Sequence, residues 1–225
     1  ASAVHAKWLD PRNRVVVAAL AVASEPYIFW RGDNADTIIS KIHIPATLGK
    51  LIPAAKNLNG PSGNALDDLF LKPMEITRDD AWLCDLIPHS CQNLTQKEAI
   101  DHKYVPLMKK HNLPQVTLPP VPDVLVDEER RKEILSEIQE ANPEIIVLLG
   151  NESIKWFLRH HDNKWAVLSD FGDTANTYGR YHESNIAGKT YKILPLCHPR
   201  QAARLGSHSA KWTGLHEEWM KSRVL

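Results

Sequence analysis

Four predominantly apolar stretches constrain this chain more than any other feature: VVVAALAVA (15–23), AWLCDL (81–86), EIIVLLG (144–150) and YKILPLC (191–197). Their apolar residues are contiguous rather than alternating, as in strands covered on both faces. Helical patterns lie between them. SGNALDDLFL puts Ala65, Leu66, Leu69 and Phe70 on one face behind Ser62 as a cap, and TQKE (95–98) has capping-box spacing with Thr95 as the cap. DEERRKEILSEIQEAN aligns Ile134, Leu135, Ile138 and Ala141 and stops before Pro143. A further helix is expected from Asn151 or Glu152, and a last one from Ser209 with Trp212, Leu215 and Trp219 on one stripe. Strands alternating with helices predict an α/β fold. The expected architecture has three layers, α/β/α, around a central, mostly parallel four-stranded sheet, as a single domain over residues 1–225.

Composition fits that expectation and removes several classes. The 43% hydrophobic and 24% charged fractions are those of a globular protein rather than a disordered or fibrous one. No stretch approaches eighteen unbroken apolar residues, so no membrane partner is expected. Cys84, Cys91 and Cys197 form an odd set with no CxxC pair, which argues against a disulfide framework and for a reducing, cytoplasmic compartment. Net charge is zero, but its distribution is uneven. Basic residues dominate from Lys189 to Arg223, acidic ones from Asp123 to Glu144, so a basic C-terminal face is expected.

Parallel sheets bind ligands beyond the carboxyl ends of their strands, so what each stretch carries there matters. The first runs into SEPY (24–27), the second contains Asp85, the third ends in Gly150-Asn151 and the fourth in HPRQ (198–201). Two carboxylates, a helix start and a histidine are expected to converge on one crevice.

This arrangement resembles the uracil-DNA glycosylase superfamily, through four short segments in that family's order. ASEPY (23–27) stands where the family has a Gly-Gln-Asp-Pro-Tyr or Gly-Glu-x-Pro turn. NGPSGNALDDLF (59–70) resembles its Gly-Pro-x-Gly helix start, WLCDLIP (82–88) its base-reading strand, and His198-Pro199 its final motif.

The resemblance implies a role for each residue. Cleaving an N-glycosidic bond builds positive charge on the sugar and negative charge on the departing base. Glu25 falls where the family's carboxylate orients water and stabilises the sugar cation, and His198 where a histidine donates to the base carbonyl. Tyr27 corresponds to a side chain that blocks the C5 position of the base in some branches, and Leu58 stands where an aromatic base-stacker occurs in others, with Phe29 or Trp30 as substitutes. Gly60 and Ser62 can present amides and a hydroxyl to phosphate. Arg200, Arg204 and Lys211 supply the basic rim that meets the DNA backbone. Asp85 stands where the best-known members use Asn. Ionised Asp only accepts, so it favours a base edge rich in donors, or else it carries a proton itself.

The resemblance therefore implies a monofunctional DNA glycosylase, without cofactor, acting as a monomer on single- or double-stranded DNA with a damaged or modified base. The iron-sulfur cysteines of some branches are absent, and the eleven histidines match no standard ligand spacing, so no metal is expected. Trp82, Trp156 and Trp212 are assigned to the core. Two alternatives stand beside this reading. One is a nucleic-acid or nucleotide-binding module of the same fold with little turnover. The other is a small-molecule hydrolase on a doubly wound sheet, for which neither GxSxG nor GxxxxGK[ST] is present.

Overall fold

The computed structural model describes residues 2–206 and 208–223. The chain forms two compact units, one of Ala1–Gly63 with Ile87–Asp123 and one of Asn64–Leu86 with Val124–Leu225.

The first unit is built on a hairpin. Strand β1 (Ser2–Leu9) alternates, burying Val4, Ala6 and Trp8, and β2 (Val15–Glu25) returns antiparallel beside it. The turn is set by Asp10, whose Oδ1 accepts the N–H groups of Arg12 at 2.8 Å and Arg14 at 2.9 Å, while Asn13 adopts φ +57°. Those N–H groups, Arg14 foremost, hold the Asp10 carboxyl below the usual carboxylate range. Helix α1 (Ala35–Ser40) packs Ala35 and Ile39 on Val4 and Ala6. Strand β3 (Lys50–Pro53) pairs antiparallel with β1, giving the sheet order β2-β1-β3. Helix α2 starts at Pro61 and runs as Pro61–Ala65 before a π-helical turn over Leu66–Leu71.

Helix α3 (Leu94–Ala99) is capped by Asn93, whose Oδ1 accepts the Gln96 N–H at 2.9 Å, and α4 (Val105–His111) follows. Asn93 is the better-placed cap, so Thr95 falls inside the first turn rather than before it. Likewise Pro61 takes the first helical position that suits it, and Ser62 lies within α2 rather than capping it.

The second unit carries a mixed sheet. Helix α5 (Glu128–Ala141) is capped by Asp127, which accepts the Arg130 N–H at 2.8 Å, and closes at Asn142 in the left-handed region before Pro143. Strand β4 (Ile145–Leu149) leads through Gly150 into helix α6 (Asn151–Trp156). Strands β5 (His182–Ile186) and β6 (Lys189–Leu196) form a second hairpin across Ala187-Gly188, both at positive φ, as two-residue hairpin turns require. Strand β6 is also parallel to β4, giving the order β4-β6-β5. Helix α7 (Pro199–Ala202) and helix α8 (Ser209–Lys221) complete the unit, with Trp212, His216 and Trp219 of α8 buried.

The α/β class therefore holds, but the expected four-stranded, mostly parallel sheet is replaced by two three-stranded sheets. The 15–23 stretch is a strand of the antiparallel sheet, with Val15 and Ala18 exposed, because its partner is the adjacent β1. The 81–86 stretch is not a strand. Its residues are mostly not β-branched or aromatic, and the carbonyls of Asp85 and Leu86 accept from the Arg130 guanidinium at 2.6 and 3.3 Å rather than from a ladder.

Candidate active site

The candidate residues divide between the units. In the first, Glu25 ends β2 opposite Ser2, the first described residue of β1. Its side chain is 1% exposed, and Oε1 accepts the Arg31 N–H at 2.8 Å. Oε2 is buried, and among the described residues no donor reaches it. Buried polar atoms are nearly always satisfied, so Oε2 is the Glu25 oxygen with capacity to accept a further donor. The segment beyond Glu25 is anchored to β1 by the Ser2 N–H donating to the Tyr27 carbonyl at 2.7 Å and Ser2 Oγ donating to Ile28 at 2.8 Å. Tyr27 is half-buried beneath the Arg31 guanidinium, 4.8 Å from its ring centre.

Trp30 is 9% exposed and wedged against two glycines. A Cβ on Gly60, at φ +82°, would stand 2.0 Å from the Trp30 ring, and one on Gly32 2.5 Å from it. Trp30 is thus a packing residue, which removes it as a substitute base-stacker. Leu58 is 43% exposed, and Ser62 is half-buried in the first turn of α2. Asn59 between them, 1% exposed with Oδ1 3.0 Å from His5 Nδ1, went unnoticed in the sequence because nothing local marks it.

In the second unit, His198 caps α7. Its Nδ1 accepts the Arg200 N–H at 3.1 Å, and its own backbone N–H donates to Gln201 Oε1 at 3.1 Å. Burial, helped by the Arg200 charge, lowers the imidazole to about 4. At neutral pH the ring is uncharged, and because Nδ1 is the acceptor the proton sits on Nε2. His198 is therefore a neutral N–H donor. Gly150 at φ +83° lets the end of β4 approach it, since a Cβ there would lie 3.0 Å from His198 Cβ.

Asp85 lies in the irregular segment before Ile87, half-buried. That segment is held by Arg130, which also pairs with Glu133 at 3.0 Å and Glu137 at 2.9 Å. Burial pushes the neighbouring Cys84 thiol up to about 12, which makes it inert as a nucleophile. Trp82 is 61% exposed, with its N–H on Glu137 at 3.3 Å, so it is not the core residue expected; Trp156 is half-buried and Trp212 buried.

Arg200 is exposed on α7. Arg204 pairs with Glu217 at 2.9 Å, and Lys211 with Asp173 at 2.7 Å while lying 4.9 Å over the Trp212 ring. Among the described residues no group of His, Cys, Asp and Glu is arranged to hold a metal, and no helix is long and apolar enough to cross a membrane.

No curated protein and no solved structure matches the chain. The family model described as Uracil DNA glycosylase superfamily matches residues 54–221, a span that takes in Leu58, Gly60, Ser62, Asp85, His198, Arg200, Arg204 and Lys211 and begins after Glu25 and Tyr27. With most of its length matched in this way, the chain belongs to the uracil-DNA glycosylase superfamily.

Proposed function

We propose that this protein is a monofunctional DNA glycosylase that flips a damaged or modified base out of DNA and hydrolyses its N-glycosidic bond, with residues 1–225 acting as one catalytic domain. The family hydrolyses such bonds in general, and the observation that carries the reading to this chain is the buried Glu25 carboxylate with one oxygen fixed and the other unfilled. Fixing Oε1 on the Arg31 N–H leaves Oε2 to accept from a water. As the C1′–N bond breaks, the carboxylate faces the growing sugar cation, takes the water's proton and directs its oxygen to C1′. The bonding pair leaves with the base, whose carbonyl oxygen gains negative charge. His198 Nε2–H donates to that oxygen, and because the ring is neutral it stabilises the anion without having to surrender a proton.

Tyr27 and Leu58 border the base, Asp85 reads its edge, and Gly60, Ser62, Arg200, Arg204 and Lys211 hold phosphates. Flipping costs a few kcal/mol, least at a mismatched or single-stranded position, and these contacts must recover it. The protein works as a monomer in the cytoplasm and uses no cofactor.

The test is incubation with oligonucleotides carrying uracil, hypoxanthine, xanthine or 5-substituted pyrimidines, single- and double-stranded, with abasic product as the readout. Turnover by the wild type that is lost in Glu25→Gln and His198→Ala supports the reading; no abasic product from any of them overturns it. Binding without turnover would instead establish the binding-module alternative, which is favoured by the aliphatic, exposed Leu58 at the stacking position.

A further inference from the structure

The pairing of β4 with β6 ends at Leu149 and Leu196. The next residue, Cys197, has no exposed surface, and its N–H donates to Tyr178 Oη at 2.9 Å. Tyr178 Oη lies 2.9 Å from His216 Nδ1, and His216 Nε2 lies 2.8 Å from the Leu69 carbonyl. These contacts assign the ring proton of His216 and the direction of its bond with Tyr178. A carbonyl only accepts, so His216 Nε2 carries a hydrogen; burial lowers this imidazole to about 4, so at neutral pH Nδ1 is bare. Nδ1 accepts a hydrogen bond from the phenolic O–H, whose proton burial holds on Tyr178 by raising its pKa well above the ordinary value. Tyr178 Oη is then left to accept from Cys197. The bonds run one way, from the Cys197 amide through Tyr178 and His216 to the Leu69 carbonyl, and each polarises the next.

We propose that Tyr178, with His216 behind it, is a positioning residue for His198. Its hydroxyl fixes the Leu196–Cys197 peptide, one unit before the peptide that leads into His198, while Gly150 limits movement on one side of His198 and the Arg200 N–H fixes its Nδ1. The Nε2–H donor is thereby held at one point at the end of β6. A rigid donor matters because a misplacement of about 1 Å can cost about 100-fold in rate. This inference rests on His198 being the donor to the departing base.

The experiment uses the full chain and two independent readouts. Tyr178→Phe keeps the ring and leaves the Cys197 N–H unpaired. Nitrogen NMR of the histidine rings is expected to show a single His198 tautomer, protonated on Nε2, in the wild type and a mixture in Tyr178→Phe. Amide exchange at Cys197 is expected to quicken by about tenfold or more, as for a lost buried hydrogen bond. With a lesion the wild type cleaves, kcat should fall about 10- to 100-fold at unchanged KM.

Ile186→Ala, a cavity variant in β5, serves as the control: it should lower Tm and leave the His198 nitrogen signals unmoved. Should Tyr178→Phe fail to fold, His216→Phe removes the acceptor of the phenolic O–H and the donor to the Leu69 carbonyl but keeps the Tyr178 hydroxyl on Cys197, and is expected to shift the same signals by less. A lower Tm with unchanged His198 signals and unchanged kcat overturns the proposal. If the wild type cleaves no lesion, the proposed function fails by itself, and the nitrogen signals and Cys197 exchange still decide whether Tyr178 positions His198.

Discussion

Replacing Glu25 by Gln preserves its volume and an oxygen for the Arg31 N–H, but removes the negative charge and the proton acceptor that the proposed function requires of it. The expected result is a melting temperature within a few degrees of wild type and a fall in kcat of about 100-fold or more. A comparable fall of about 100- to 1,000-fold is expected for His198→Ala, as for removal of one preorganised donor. Both are read from single-turnover cleavage beside thermal melts. The two buried histidines make a separate prediction about pH. His198 and His216 titrate at about 4 in the fold against 6.5 for an ordinary histidine. Between those values the unfolded chain binds protons that the folded chain does not. Stability is therefore lost as pH falls from 6.5 toward 4, by about 1.4 kcal/mol per pH unit for each histidine at most. Denaturant titrations across that window should show the loss, and His198→Gln should make it shallower. Glu25 and His198 were legible as candidates because motif order along the chain marks them. Tyr178 and His216 were not, since their role is defined by contacts 19 and 38 residues apart along the chain.

Elements were legible where the signal is local. The helices at 128–141 and 209–221 follow from periodicity and end signals, and the strands near 145 and 191 from short apolar runs. Strand β1 was overlooked because His5 and Lys7 break its apolar character, although the alternation of Val4, Ala6 and Trp8 and the Asp-Pro-Arg-Asn turn were both present. The 81–86 stretch was misread because what satisfies it, Arg130, lies more than 40 residues away. Strand β2 shows how an edge is managed. Its outer backbone is closed by the Gln96 side chain, which accepts the Ala21 N–H at 2.8 Å and donates to the Ala19 carbonyl at 2.7 Å. A side-chain amide thus stands in for a neighbouring strand and occupies groups that would otherwise template pairing with another chain. Gln96→Ala removes both bonds, and the expected cost is about 1–3 kcal/mol, measured by urea denaturation. Gln96→Glu restores the acceptor alone and should recover part of that loss. Equal stability of all three proteins would show that water replaces the amide at no cost.

At the scale of the whole molecule, zero net charge means that any attraction to DNA arises from local arrangement rather than from the total. Arg204 and Lys211 are engaged with Glu217 and Asp173, but those pairs are exposed and screened by solvent, so they hold weakly. A phosphate can therefore exchange for the carboxylate at little cost, freeing Glu217 or Asp173 to water. Each residue that takes a phosphate releases condensed counterions from the DNA. The logarithm of the binding constant should then fall against the logarithm of salt with a slope of about −0.9 per contact on duplex and about −0.7 on single strands. Arg200→Ala, Arg204→Ala and Lys211→Ala should each weaken binding to all sequences alike and reduce the slope by about one contact. Glu217→Gln should strengthen binding at low salt, because it releases Arg204 from its internal partner and removes a negative charge beside it. Fluorescence anisotropy over a salt series reads both quantities at once. A variant whose line runs parallel to wild type makes no phosphate contact. If all three run parallel, Arg204 and Lys211 serve only the ion pairs seen in the fold, and the DNA-facing surface must be sought at other residues.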